Sequence, residues 1–107
     1  MTVTEFFTGL ASRINPERIS GMNATYQFNI AADENGDTQW YVAIRDGIAE
    51  VHQGAADAPN ITVSVTASDW IDIVSGKLNG QMAFLTGRLK VEGDMSLALK
   101  LQALLQR

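Results

Sequence analysis

Residues equipped for chemistry are few and scattered along this chain. His52 is the single histidine and cysteine is absent from the 107 residues. Disulfides, thiolate nucleophiles and thiolate metal sites are therefore excluded. His52 stands in Ile48 to Gln53, a short segment with one polar side, and reads as a solvated polar residue; general-base duty is the rival reading. Asp69 and Asp72 are three residues apart in a helical pattern. That spacing puts both carboxylates on one helix face, where they could share a metal ion or do acid–base work. Asp69 also follows Thr66 by three residues, and Asp94 directly precedes an apolar helix. Both are places where a carboxylate serves a helix N-terminus, and capping plus a solvated face is the reading adopted. Glu34, Asn35 and Asp37 approach a calcium loop, but its spacing and closing glutamate are missing. No Gly-x-Ser-x-Gly elbow or phosphate-binding loop occurs. No catalytic residue, metal ligand or cofactor is expected.

The elements around these residues are those of one ordinary domain. The length fits a single domain, 46% of the residues are apolar and 19% are charged. Net charge is −4, which argues against nucleic acid as a partner, since neutralising phosphates supplies most non-specific affinity. No apolar run reaches the roughly 18 residues a membrane-spanning helix needs. Glu5 and the lack of a basic lead argue against a secretory signal.

Thr2 to Ile14 reads as an amphipathic helix, with a Thr2–Glu5 capping box and a stripe of Val3, Phe6, Phe7, Leu10 and Ile14. Asn15-Pro16 closes it and starts a short turn. Asn23 to Ala31 alternates, with Ala24, Tyr26, Phe28 and Ile30 on one face. Asn35-Gly36 suits a hairpin turn leading into a strand from Gln39 to Arg45, whose inner side carries Trp40, Val42 and Ile44. Asp46-Gly47 is a second hairpin turn, and Ile48 to Gln53 suits a sheet edge. Asn60 to Val65 is a fourth strand. Thr66 then caps a helix that buries Trp70, Ile71 and Val74 and stops at Gly76. A short helix from Leu78 to Leu85, a strand from Arg88 to Glu92 and a helix from Met95 to about Leu105 complete the chain. Strands in succession, followed by helices and one late strand, give the α+β class: a single mixed, mainly antiparallel five-stranded sheet with helices on one face.

The last helix is more apolar than a surface helix requires. Leu97, Leu101, Leu104 and Leu105 form one stripe, while Met95 and Leu99 lie partly off it. Either the helix is deeply packed, or the surplus lines a cavity or meets a partner. Met82 and Met95 suit a pocket that adapts to flexible chains, and equally suit plain core.

Asp69-Trp70, Gly76-Lys77, Ala83-Phe84-Leu85-Thr86-Gly87, Lys90-Val91-Glu92-Gly93-Asp94 and Leu97-Ala98-Leu99-Lys100-Leu101 follow one another in order. In these pieces and their spacing the chain resembles the sterol carrier protein-2 family of small lipid-carrying domains, and a looser likeness reaches back to the N-terminus. The resemblance implies a tunnel for a lipid between the sheet and its helices, and non-enzymatic binding, shielding and transfer of a fatty acyl chain, an acyl-CoA, a sterol or an isoprenoid. Its expected walls are Phe28, Trp40, Trp70, Val74, Met82, Leu85, Met95, Leu99 and Leu104. Ile14 to Met22 with Phe6, Phe7 and Leu10 is either core or a lid over the tunnel mouth. Lys77, Arg88, Lys90 and Lys100 read by default as exposed charges that keep the protein soluble; the rival reading is a modest basic patch that meets a headgroup or a membrane surface in transient contact. The rival function is an accessory or scaffold module, of the kind that serves ubiquinone or other lipid synthesis, docking a partner or a second copy through the last helix. Many eukaryotic members end in a Ser-Lys-Leu address; this sequence ends Leu105-Gln106-Arg107. A bacterial, cytoplasmic protein is the expectation that follows.

Overall fold

The computed structural model describes residues 2–33 and 36–105, with residues 18, 32, 33 and 102–105 described by backbone alone. The turn expected at Asn35-Gly36 and the wall residue expected at Leu104 therefore lie outside what is described, in whole or by side chain. The elements are α1 (Val3–Arg13), a 3-10 turn (Pro16–Ile19), β1 (Ala24–Asp33), β2 (Gly36–Arg45), β3 (Ile48–Gln53), β4 (Ile61–Thr66), α2 (Ala67–Val74), α3 (Gly80–Leu85), β5 (Leu89–Gly93) and α4 (Met95–Leu105). The five strands form one sheet in the order β3-β2-β1-β4-β5. β1 and β4 run parallel, and every other neighbouring pair is antiparallel. This is the mixed α+β sheet expected from the sequence.

Local chemistry sets the helix ends. Thr2 Oγ1 accepts from the Glu5 N–H at 3.1 Å, and Glu5 Oε1 accepts from the Thr2 N–H at 3.2 Å, a complete capping box. Asn15 Oδ1 accepts from Glu17 N–H and Thr66 Oγ1 from Asp69 N–H. Asn79 Oδ1 accepts from the N–H groups of Gln81 and Met82, so α3 starts at Gly80 rather than at Leu78. At the β2–β3 hairpin Asp46 and Gly47 both have positive φ, 52° and 78°, the geometry that matches strand twist.

The inner face of the sheet carries Tyr26, Phe28, Ile30, Trp40, Val42, Ile44, Ile61, Val63 and Val65, all buried. α1 lays Val3, Phe6, Phe7 and Leu10 on it. Phe7 lies between two indoles, nearly parallel to Trp40 at 5.1 Å and to Trp70 at 6.1 Å, with Phe28 5.2 Å away. Ile14 and Ile19 are buried in this same cluster and Met22 packs against it, as the core reading of these side chains expects.

The outer face has a feature that alternation alone does not show. Gln27 points away from the core yet is only 4% exposed. The loop from β3 to β4 crosses the sheet there. The Gln27 amide donates to the Gly54 carbonyl at 3.2 Å, and its Oε1 accepts from the Ala56 N–H at 2.7 Å. A polar side chain thus pins the crossover that a parallel β1–β4 pair requires.

Gly93 closes β5 against the start of β4. Its φ is +112°, and a Cβ there would lie 2.5 Å from the Asn60 carbonyl oxygen and 2.9 Å from Ile61 Cα. Gly93→Ala is expected to destabilise the fold by about 2 kcal/mol or more through backbone strain and this clash. Thermal unfolding would show it as a melting point lower by roughly 10 °C or more.

Candidate functional site

The covered face of the sheet is filled at one end and hollow at the other. Under α1 the aromatic cluster is solid. Over β4 and β5 the inward residues Leu89 and Val91 are only partly buried, because little packs on them. α3 is six residues long and buries only Ala83. What remains between β4, β5, α2, α3 and α4 is a cavity of about 820 Å³, within the size range of small-molecule sites.

Val63 and Trp70 stand at its closed end, 0% and 1% exposed. Ile73 and Val74 of α2, Leu89 and Val91 of β5, and Ala98 and Leu101 of α4 form its sides. Its mouth is framed by Phe84, Leu85, Met95 and Leu99, which are 42%, 75%, 47% and 72% exposed. Asn79 and Gln81 are the amide side chains of the lining, and among the described residues no ionisable side chain lines it. Such walls shield an apolar molecule and offer it no acid, base or nucleophile.

An apolar void of this size, sealed and dry, would cost on the order of 20 kcal/mol at about 24 cal/mol per Å³. A domain has only about 5–15 kcal/mol of stability in all. The exposed mouth resolves the conflict, since solvent or a ligand can enter.

α4 is held in place from the sheet. Asp94 Oδ1 caps it, accepting from Ser96 N–H at 2.9 Å and Ser96 Oγ at 2.6 Å. The Ser96 hydroxyl, then its N–H, holds the Asp94 carboxyl below its ordinary value. The buried Tyr26 hydroxyl donates to the Leu97 carbonyl at 3.0 Å. Burial, and next the charge of Asp94, push the Tyr26 phenol from 10.0 up to about 12. The folded state therefore keeps this proton more tightly than the unfolded chain. Its contribution is complete below pH 10 and is lost as pH rises through about 12. Tyr26→Phe is expected to cost about 0.5–1.5 kcal/mol at neutral pH and to flatten the alkaline loss, as read by denaturant melts across that range.

The expected wall residues divide accordingly. Trp70, Val74, Leu85, Met95 and Leu99 come together around the cavity. Phe28 and Trp40 do not line it; they are 0% and 5% exposed in the solid aromatic core, where Phe7 fills the space beside them. Met82 is exposed on α3, outside the lining. The sequence reading did not single out Ile73, Leu78, Phe84, Leu89 and Val91 as walls. Two adjacent large apolar residues, Phe84 and Leu85, on one short helix were the available signal, since a six-residue helix cannot bury both. His52 is on β3, the opposite sheet edge from the cavity, 3.4 Å from Glu50. Among the described residues no group of three or more His, Asp or Glu side chains is placed to hold a metal. Among them, too, no helix is long and apolar enough to cross a membrane.

A family model for the SCP-2 sterol transfer family matches residues 5–106. The chain belongs to this family. It is 36% identical over 107 residues to peroxisomal multifunctional enzyme A of Dictyostelium discoideum, a match covering 96% of this chain and 24% of that protein. It is 33% identical over 102 residues to hydroxysteroid dehydrogenase-like protein 2 of Xenopus tropicalis, covering 94% and 24%. The SCP-2 chain thus spans about a quarter of the length of these curated relatives. Its fold superposes on the solution structure of palmitated SCP2L2 from Aedes aegypti with a TM-score of 0.81 at 26% identity, covering 100% of this chain and 96% of that one.

Proposed function

We propose that this SCP-2 chain binds, shields and transfers one hydrophobic lipid, a fatty acyl chain, sterol or isoprenoid, and catalyses no reaction on it. The observation that carries this reading is the cavity of about 820 Å³ with mostly apolar walls and, among the described residues, no ionisable lining. The likeness to an SCP2L2 whose structure is named as palmitated supports an acyl chain as one occupant. Trp70, Val74, Leu85, Met95 and Leu99 are the proposed contacts among the residues expected from the sequence, with Phe84, Leu89 and Val91 beside them.

The energetics favour long tails. Burying a methylene is worth about 0.8 kcal/mol, so a 16-carbon tail gains roughly 12 kcal/mol gross. Association itself costs about 4–15 kcal/mol. Fatty acids shorter by successive methylenes should therefore bind about fourfold more weakly at each step until binding vanishes. Native mass spectrometry with palmitate, followed by a chain-length series in fluorescent displacement, tests this. Failure of palmitate to bind or to raise the melting temperature would sink the proposal.

A second reading is favoured by one observation: the curated relatives are some four times longer than the match. The chain would then serve as an accessory module that docks a partner through α4. Leu99→Asp separates the readings when lipid binding and light scattering are measured on the same sample. Retained lipid binding with loss of an oligomer favours docking.

A further inference from the structure

We infer that the Asn79 side-chain amide receives the polar end of the cargo and selects a neutral carbonyl oxygen, as in an ester, over a free carboxylate. The inference rests on the lipid-carrier reading and names what that cavity recognises besides a tail. Asn79 is one of the two amide side chains in the lining and is itself exposed, so it stands where the cavity meets solvent. The closed end is formed by the buried Val63 and Trp70. A tail that enters toward them leaves its polar end beside Asn79.

What Asn79 can offer is fixed by the bonds it already makes. Its Oδ1 accepts from the N–H groups of Gln81 at 2.8 Å and Met82 at 3.3 Å. Its backbone carbonyl accepts from the Ala83 N–H at 2.9 Å. Both oxygens are thus committed to the first turn of α3. Two N–H donors need an oxygen opposite them, so the cap also decides which end of the amide is Nδ2. That NH₂ group has no acceptor among the described residues. It is a donor only, and it matches an acceptor oxygen. Two other groups of the lining serve less well. Nothing among the described residues fixes the Gln81 amide, so holding it on a ligand costs rotamer freedom. Trp70 Nε1 has no partner either, but it is closed off from solvent and so from an incoming oxygen. The preference for a neutral oxygen follows from the missing cation, since no ionisable side chain lines the cavity among the described residues. A carboxylate brought there gives up much of its hydration with no opposite charge to replace it, whereas a neutral carbonyl gives up far less for its bond.

Fluorescent displacement by octadecane, methyl palmitate and palmitate tests the inference; the first two are equally long. The native chain should hold methyl palmitate more than about tenfold more tightly than palmitate, since the added methyl alone accounts for about fourfold. Asn79→Asp and Asn79→Ser both keep a capping oxygen and both lose the N–H donors. Asn, Asp and Ser cap a helix about equally well, so the two variants should melt close to the native chain. Each should weaken methyl palmitate by about tenfold, the effect of an acceptor left without its donor. The loss should be specific to the ester, with octadecane displaced as by the native chain. An equal loss for ester and alkane, which a merely structural role would give, overturns the inference. So does an ester unaffected by both variants, palmitate bound as tightly as its ester, or a native chain that binds none of the three. Only the last of these also removes the carrier reading.

Discussion

Ala98→Trp is expected to bind a 16-carbon fatty acid about a hundredfold more weakly than the native chain, and to melt no lower. Ala98 lies on α4, in the wall of the cavity and partly buried. An indole there occupies space a tail would need. Displacing three or four methylenes removes about 2.5–3 kcal/mol of burial, which is about a hundredfold in affinity. The same indole covers apolar cavity wall that otherwise faces an opening. Filling such a space commonly adds about 0.5–2 kcal/mol of stability. Opposite signs in the two measurements are the signature of a cavity kept for a ligand. Isothermal titration with palmitate and a thermal melt of the ligand-free protein check it. Unchanged affinity in a folded variant would place the ligand elsewhere.

Phe7→Ala is expected to have the largest effect on stability. Phe7 is fully buried, stacked between Trp40 and Trp70 and edge-on to Phe6 at 5.1 Å. Truncating a buried phenylalanine costs about 3–5 kcal/mol, because the transfer energy is lost and the hole left behind relaxes only in part. That is a large share of the about 5–15 kcal/mol that holds a domain. For a chain of this length the melting temperature should fall by roughly 15–30 °C. Chemical denaturation followed by tryptophan fluorescence is the direct check, since both indoles of the protein contact Phe7. A second consequence concerns the cavity. Trp70 forms its closed end and leans on Phe7, so loss of the ring frees the wall between the solid and hollow halves.

The two variants differ for a reason that the chain's periodicity does not contain. Phe7 and Ala98 both fall on helices whose apolar residues recur at helical spacing. Phe28, Trp40 and Trp70 likewise all fall on inward positions, and from the sequence they were equally good wall residues. Inward on a strand or helix states only which side a residue faces. Whether that side meets another ring or an empty space depends on which helix lies over it. α1 happens to bring Phe7 to Trp40 and Phe28, while nothing equally bulky lies over Leu89 and Val91.

What the chain dictated by itself was local. Thr2 with Glu5, Asn15 with Pro16, Thr66 and Asp94 each mark a helix start through a side-chain oxygen that reaches the backbone a few residues on. Alternation at Ala24 to Ile30 and Ile61 to Val65 placed the inner face of the sheet, since side chains on a strand must point to opposite sides. The motif order from Asp69 to Leu101 pointed to the family. Tertiary structure alone decided the burial of Gln27 under the crossing loop, the division of the interior into a filled end and a hollow end, and the gathering of Leu85, Met95 and Leu99 at one mouth. These depend on pairs of residues far apart in the chain, such as Tyr26 with Leu97 and Gly93 with Asn60. Hydrophobic attraction is non-directional, so a run of apolar residues records that they leave water and not which partners, or which empty space, they will face.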